Sequence, residues 1–538
     1  MSFYIKDKSL NGNGTEAKPF GDIQDLFEDK GIIEASKILI HNADNKYELI
    51  SQSAYKKSLK YFERQQKKKN AAPTALPAKD QNEVLSLDEL NVALSKIQNV
   101  DVAVKRTEIG KLSEFKLVRV QGWIHRIRKQ KSISFIVLRD GSGQVQIVVG
   151  KELSRYVDQL ATESTIDVVG TLCKTDSTPQ GYEIQATAIQ IIGKAPLGDE
   201  AFTNKLNEES HSEVRLDQRH LVIRGDTASA VLKMRSIASF AFRQFYRQHG
   251  YHEVQPPLMV QNQCEGGSTL FSFKYYGEDA YLTQSSQLYL ETVLPVFGKA
   301  FCMTESFRAE KSSTRRHLSE YTHIEAELSF INFEDLLQHL EQLLAFVVDF
   351  IMNDNEAKPL LQLLNPEFKG IKLPIRRMSY KDAIKWLKDN NIDKLEEDGG
   401  GSYEFGDDIP ESAERKMVDQ LKEPIMLTHF PTEMKAFYMR KVDGEPLLTE
   451  SVDILLPNVG ECVGGSMRES DFETLMAKYE TEGLDPSLYY WYTDQRKYGT
   501  TEHGGYGLGL ERFLCWILNQ YTVREVCLYP RYVGRCKP

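Results

Sequence analysis

Arg308 stands in Phe307-Arg308-Ala309-Glu310, just before a polar loop, Lys311 to His317, that ends in Arg316-His317. Two strands flanking such a loop would bring Arg308 and the Arg316/His317 pair toward one polyphosphate, because guanidinium pairs bidentately with phosphoryl oxygens. A second tract, Gly504-Gly-Tyr-Gly-Leu-Gly-Leu-Glu-Arg512, sets glycines where backbone could approach a ligand closely and then starts an apolar helix with Arg512 in its first turn. It lacks the Lys-Ser/Thr ending of a Walker phosphate loop. A third, Gly250-Tyr-His-Glu-Val-Gln-Pro-Pro257, follows a long amphipathic stretch and by itself says only helix, turn and strand.

The elements that must hold these tracts form one mixed α/β unit after residue 213. Helices are predicted over 228–249 and 333–353, and strands over 300–304, 321–330 and 451–456. Upstream, five short alternating runs (117–124, 133–138, 144–149, 166–172 and 182–192) separated by glycine turns predict a small closed barrel of the OB type. From Phe115 to Arg139 there is no acidic residue, while Lys116, Arg119, Arg126, Arg128, Lys129, Lys131 and Arg139 are basic. An exposed Phe135 beside that stripe suits stacking on unpaired bases; composition alone reads it as barrel core. Residues 53–69 space Tyr55, Leu59 and Phe62 on one helical face and lysines elsewhere, which fits either a solvated face or weak contact with an RNA backbone.

At 538 residues the chain exceeds one hydrophobic core. Its 41% hydrophobic and 27% charged residues, with no apolar run near the roughly 20 residues of a bilayer span, exclude an integral membrane protein of the helical kind. A net charge of -10 argues against coating nucleic acid over the whole surface, so any RNA contact must be regional. Seven cysteines without CxxC spacing suggest neither a zinc site nor a disulfide framework. The first residues carry no secretory or organelle signal, so the cytoplasm is the expected compartment.

Taken together, the tracts around Pro257, Arg308–Glu327 and Gly504–Arg512 resemble motifs 1, 2 and 3 of the class II aminoacyl-tRNA synthetases, in order. The barrel upstream resembles that of the subgroup charging aspartate, asparagine and lysine. The resemblance covers about residues 100 to 538 and implies a multidomain α+β fold: a 1–75 extension with a basic helix, a 76–100 linker, an OB-fold anticodon-binding domain over 101–200, and a catalytic domain over 213–538 built on an antiparallel sheet flanked by helices. It implies ATP as a substrate with Mg2+, a homodimer through motif 1 and Pro257, and tRNA as the partner. Arg308 would hold the α-phosphate, Arg512 the γ-phosphate, and Arg316 and His317 the terminal phosphates. Tyr321 would stack on adenine, Glu310 would meet its edge, and Asp453 and Glu461 would bind magnesium. Fixed cations can offset the charge of phosphoryl transfer without a protein nucleophile or general base.

Within the subgroup, Glu265 and Gln287 match positions that cradle the charged end of the amino acid. Leu290 stands where the aspartate enzymes carry a lysine, and Glu325 where they carry aspartate. An ionised Glu325 can only accept, and Arg468 in Gly460–Arg468 can only donate, a combination that suits an amide better than an acid. The tract Arg316–Glu327 is similar to that of the asparagine enzymes rather than the lysine ones, and residues 1 to about 70 resemble the extension of their eukaryotic members. In the barrel, Phe135 and Gln146 match positions that stack on and hydrogen-bond the central anticodon uridine. The rivals are an aspartate enzyme, an amide synthetase using the same adenylate with ammonia, and an inactive RNA-binding paralogue.

Overall fold

The computed structural model describes residues 104–538 except 114–115, 131, 208–209, 263, 265–269, 313 and 395–399. Before 104 it describes 2–5, 15, 19–20, 23–41, 47–52, 54–56, 58–60 and 62. The 76–100 linker and Glu265 therefore lie outside the described residues. The chain divides into two compact units, Met1–Leu197 and Gly198–Pro538.

The first unit begins with a three-stranded sheet of β1 (Phe3–Ile5), β2 (Ile38–His41) and β3 (Tyr47–Leu49), with β1 and β2 parallel and β2 and β3 antiparallel. Leu26, Phe27 and Ile38 form its core, and Tyr55, Leu59 and Phe62 pack onto it while Lys56 and Lys60 stay exposed. The apolar face expected of the basic stretch thus has a structural job, and its described cations, Lys56 and Lys60, face solvent, while Lys57, Arg64 and Lys67 to Lys69 lie outside the described residues.

The same unit contains a closed barrel in the order β4 (Leu117–Lys129), β5 (Ser134–Arg139), β6 (Gln144–Val149), β8 (Tyr182–Gly193) and β7 (Thr165–Lys174). Alternation decides which side chains fill it: Ile136 and Leu138 are fully buried in the core, whereas Phe135, between Ser134 and Ile136, points to the outer face. Phe135 is therefore not barrel core, contrary to the composition-based reading.

The second unit is organised by an eight-stranded sheet. Its strands are β9 (His252–Glu253), β13 (Lys299–Phe307), β14 (Glu320–Ser329), β15 (Arg376–Ser379), β16 (Ile425–Thr428), β19 (Ser451–Leu456), β20 (Gly460–Met467) and β21 (His503–Gly509), in the order β15-β16-β19-β20-β21-β14-β13-β9. A smaller sheet joins β10 (Met259–Val260), β12 (Glu278–Leu282) and β11 (Ser272–Tyr275), and β17 (Lys441–Val442) pairs with β18 (Glu445–Thr449). The expected antiparallel pattern holds across the middle, but both edge pairs, β9 with β13 and β15 with β16, are parallel.

Helices α1 (Asp226–Gln248) and α2 (Phe333–Asn353) share the main core with residues of β14, β19, β20 and β21. Leu336, Leu340, Leu343, Val347 and Ile351 of α2 recur every three or four residues and are fully buried. Asn332 and Asp335 cap its N-terminus reciprocally. No helix among the described residues is long and apolar enough to cross a membrane. Five of the seven cysteines are buried, and Cys536 is exposed. Within the 393–411 segment, Tyr403 and Ile409 are buried and Lys394 pairs with Asp407 at 2.9 Å, while residues 395–399 lie outside the described residues.

Candidate active site

Strand β14 runs through the site and sorts it. Tyr321, His323, Glu325 and Glu327 are spaced by two, so they share one face of the strand and are spread along it by about 7 Å per pair. Tyr321 and His323 line one cleft, and His323 and Glu325 line the next. Arg308, Glu461, Gly464 and Gly507 also border both, so the two clefts meet at Arg308 and Glu461.

The first cleft is bordered by cations held loosely. Arg512, from helix α3 (Leu510–Ile517), donates to the Glu461 carbonyl at 2.9 Å and lies 3.2 Å from its carboxylate. Arg316 reaches Glu414 at 3.4 Å and Glu461 at 3.6 Å, and its buried Nε has no hydrogen-bond partner among the described residues. Arg308 lies over the Tyr321 ring, 5.6 Å from its centroid, and Glu310 and His317 complete the wall. The His317 Nδ1 meets the hydroxyls of Ser312 and Thr314, and burial, with Arg512 and Arg316 nearby, pushes this histidine below its usual range. Burial raises the Glu461 carboxyl, but Arg512 and Arg316 overcome it and bring it down to about 2. Burial and the Glu461 carboxylate push its neighbour Glu414 up to about 8.

Two carboxylates face one small opening here. A Cβ on Gly464 would sit 3.4 Å from both Asp453 Oδ1 and Glu461 Oε1. Hard oxygen ligands in this number suit Mg2+, which takes one or two carboxylates and completes its shell with phosphate and water. No group of three or more His, Cys, Asp or Glu side chains is arranged to hold a metal among the described residues. Lys435 Nζ, 2.8 Å from Asp453, supplies the positive charge beside this pair.

The second cleft is saturated with short internal bonds. Glu325 accepts from Ser285 Oγ at 2.5 Å and from the Ser286 N–H at 2.9 Å, which leaves lone-pair capacity on a carboxylate of about four acceptor sites. Arg468 pairs with Glu327 through Nε and Nη2 and donates from Nη1 to Ser466 Oγ at 2.8 Å. Both members of that pair are nearly inaccessible, and Glu327 and Glu291 keep the guanidinium charged against its burial. Gln287 lines the same wall. Leu290 does not: it is fully buried in an apolar cluster with Ala300 and Cys302, one layer behind Glu325.

The glycines of β21 also have a role the sequence reading did not assign. A Cβ at Gly505 would lie 2.2 Å from the Glu327 carboxyl, and one at Gly507 would lie 2.2 Å from His323 Nε2. They make room for the side chains of β14 and, at Gly507, still border the clefts.

Residues 211–533 match the family described as tRNA synthetases class II (D, K and N), residues 118–192 an OB-fold nucleic acid binding domain, and residues 15–97 the N-terminal domain of asparaginyl-tRNA synthetase. The chain is 46% identical over 555 residues to the cytoplasmic asparagine–tRNA ligase of Saccharomyces cerevisiae, covering all of both chains. It is 46% identical over 548 residues to that of Homo sapiens, covering 99% of each. The chain belongs to the asparagine–tRNA ligase family of class II synthetases. Among solved structures it resembles the Entamoeba histolytica asparaginyl-tRNA synthetase in complex with asparaginyl-adenylate, with a TM-score of 0.76 and 45% identity over 81% of this chain and 99% of that one.

In this synthetase fold, several cleft residues escaped sequence reasoning. Glu327 carries a signal, a second acid two positions beyond Glu325 on a buried strand. Ser285 and Lys435 reach the cleft from separate elements, and Glu414 stands behind Arg316. Arg235 of α1 bonds Thr322 at 2.6 Å and Glu511 at 2.7 Å, tying motif 1 to motifs 2 and 3. Pro257 lies exposed in the extended segment between β9 and β10.

On the barrel, Phe135 pairs with Arg128 on one side and Val148 on the other, and Gln146 lies two residues from Val148, on the same outer face. Arg126 and Arg128 are exposed there. Arg119 and Arg139 are paired with Asp167 and Glu163 at 2.6 and 2.8 Å. Gln146 donates to Glu183 at 2.9 Å, which leaves its carbonyl oxygen for another donor.

Proposed function

We propose that the chain activates L-asparagine with ATP and esterifies it to tRNA(Asn), in the cytoplasm, where its relatives' names place them. The observation that carries the reading is the meeting of the two clefts at Arg308 and Glu461, one half lined by arginines and the other by a carboxylate and a guanidinium suited to an amide. The asparagine carboxylate attacks the α-phosphorus and pyrophosphate leaves; a ribose hydroxyl at the tRNA 3′ end then attacks the acyl carbonyl and AMP leaves.

In this reading Arg308 binds the α-phosphate, where negative charge develops, and Arg512, Arg316 and His317 hold the outer phosphates. Tyr321 stacks on adenine and Glu310 accepts from its edge. Glu325 accepts from the asparagine NH2 and repels an aspartate carboxylate, while Arg468 donates to the side-chain carbonyl. Leu290 keeps the layer behind them free of a cation that would favour an acid. Gln287 and Glu265 seat the charged end of the amino acid. Asp453 and Glu461 would hold Mg2+, which supplies charge neutralisation at the phosphates when bound. Phe135 and Gln146 read the anticodon from the barrel over 101–200, two catalytic domains over 213–538 pair through motif 1 and Pro257, and the 1–75 extension adds salt-sensitive contacts to tRNA through its lysines.

Pyrophosphate exchange measured with asparagine, aspartate and lysine separately tests this. Exchange with asparagine alone is expected; a preference for aspartate or lysine would overturn it.

A further inference from the structure

Gln287 presents an amide with two opposite edges, a donor NH2 and an acceptor oxygen. Its Nε2 donates to Glu291 Oε1 at 3.1 Å, one helical turn on in the Gln287–Thr292 helix. Its Oε1 accepts no hydrogen bond from the described residues, and Gln287 lines the amino-acid cleft. Glutamine orientation is ordinarily a matter of choosing the better network, but here the partner decides it.

Glu291 is clamped from two further elements. It receives Arg496 Nη2 at 2.7 Å and the Tyr492 hydroxyl at 3.1 Å, both from the Tyr490–Lys497 helix, and His503 Nε2 lies 2.9 Å away on β21. Burial pushes its carboxyl up, but Arg496 and His503 overcome this and hold it well below the usual carboxylate range. An ionised carboxylate has no proton to give, so only the NH2 edge of Gln287 can face it. The opposite side is fixed too: Ser285 Oγ accepts from the Gln287 backbone N–H at 3.2 Å while donating to Glu325.

We propose that Glu291 is a positioning residue for substrate recognition: by accepting from Gln287 Nε2 it turns the Gln287 carbonyl oxygen into the cleft as an acceptor for the α-ammonium of the amino acid. An ammonium group only donates, so a flipped amide would set donor against donor. The inference rests on the reading of this cleft as the seat of asparagine, and it adds a residue that never touches the substrate.

The test is Glu291→Gln, which removes the obligate acceptor and frees the Gln287 amide to turn. Three ligands are compared: asparagine as substrate in pyrophosphate exchange, asparaginol, which keeps the ammonium and lacks the carboxylate, and succinamate, which keeps the carboxylate and amide and lacks the ammonium. The KM for asparagine and the inhibition constant of asparaginol are expected to rise about tenfold, the loss of one buried charge-assisted hydrogen bond. Succinamate and the KM for ATP should move by less than about twofold on the same reasoning. Because the single change leaves Arg496 buried without its partner, Glu291→Gln/Arg496→Met is made alongside to remove both charges, and the same pattern is expected of it. Equal weakening of all three ligands, or no change in any, overturns the proposal. A wild type that does not exchange pyrophosphate with asparagine overturns the underlying reading instead, a failure visible before any variant is made.

Discussion

The two halves of the catalytic cleft treat charge differently. In the nucleotide half, Arg316 and Arg512 share the Glu461 carboxylate at 3.6 and 3.2 Å, Arg512 also donates to the Glu461 carbonyl at 2.9 Å, Arg316 reaches Glu414 at 3.4 Å, and a buried Nε of Arg316 has no partner among the described residues. In the amino-acid half, Glu325 is bonded to Ser285 and Ser286, Arg468 to Glu327, and Gln287 to Glu291, at 2.5–3.2 Å. The first half can exchange its internal partners for phosphates and a cation at little cost, whereas the second is preorganised, so a ligand must fit donors and acceptors already fixed in place. In the proposed function, strength of binding and choice of substrate would then fall to different residues a few strand positions apart.

The largest effect expected is in the loose half. Arg308→Ala should lower pyrophosphate exchange by about 10²–10³-fold, the usual cost of removing a preorganised donor from a charge that develops in the transition state. The contrast between the halves requires that the asparagine-to-aspartate preference stay as it was; a changed preference in steady-state exchange would break it. Next, Glu325→Gln should cost about 1–3 kcal/mol in asparagine activation, because a fixed polar site loses its matched acceptor. It should also narrow the preference for asparagine over aspartate, with activation of both measured under one set of conditions. An unchanged ratio would remove Glu325 from the discriminating half.

The preorganised half also has a buried support that can be titrated. Tyr506 lines the amino-acid cleft, and its hydroxyl meets His339 Nε2 at 3.0 Å and the Tyr246 hydroxyl at 2.8 Å. Burial pushes His339 down to about 3. Its folded pKa is below the unfolded value of about 6.5, so the unfolded chain takes up the proton first and stability is lost as pH falls from about 6.5 toward 3. Wild type should lose roughly 2 kcal/mol from this group by about pH 5, and His339→Gln should flatten that part of the curve. Denaturant midpoints across pH would read it, and parallel slopes in the two proteins would contradict the assignment.

The smallest effect on the cleft is expected from the barrel. Phe135→Ala should remove about 1–3 kcal/mol of base stacking from tRNA binding while leaving asparagine activation unchanged. Normal charging by the variant would take Phe135 out of the anticodon site, and impaired activation would show that the two halves are not the sole owners of the first step.

Much of this was legible in the chain. Five period-two runs and their glycine turns sufficed for the barrel, because alternation is set by strand geometry and survives any packing. The 3.6-residue spacing of Leu336, Leu340, Leu343 and Val347 sufficed for a helix, and Arg308, Tyr321, Glu325 and Arg512 stood in tracts specific enough to identify the family. Local pattern also misled. Phe135 read by composition as core because hydrophobicity is a property of the residue, whereas its face depends on the register of β5 against β4 and β6.

What the tertiary structure alone decided is which distant groups share an electric environment. Glu414 faces Glu461 and Arg316, Lys435 faces Asp453, Arg496 and His503 close on Glu291, and Gly505 leaves space for Glu327, each pairing made by residues that lie between 18 and 212 positions apart. Residue type and spacing determine local conformation through short-range sterics and hydrogen bonding. The Coulomb energy of two charges depends only on their separation in space and the medium between them, and that separation is set when the sheet brings β14, β20 and β21 side by side.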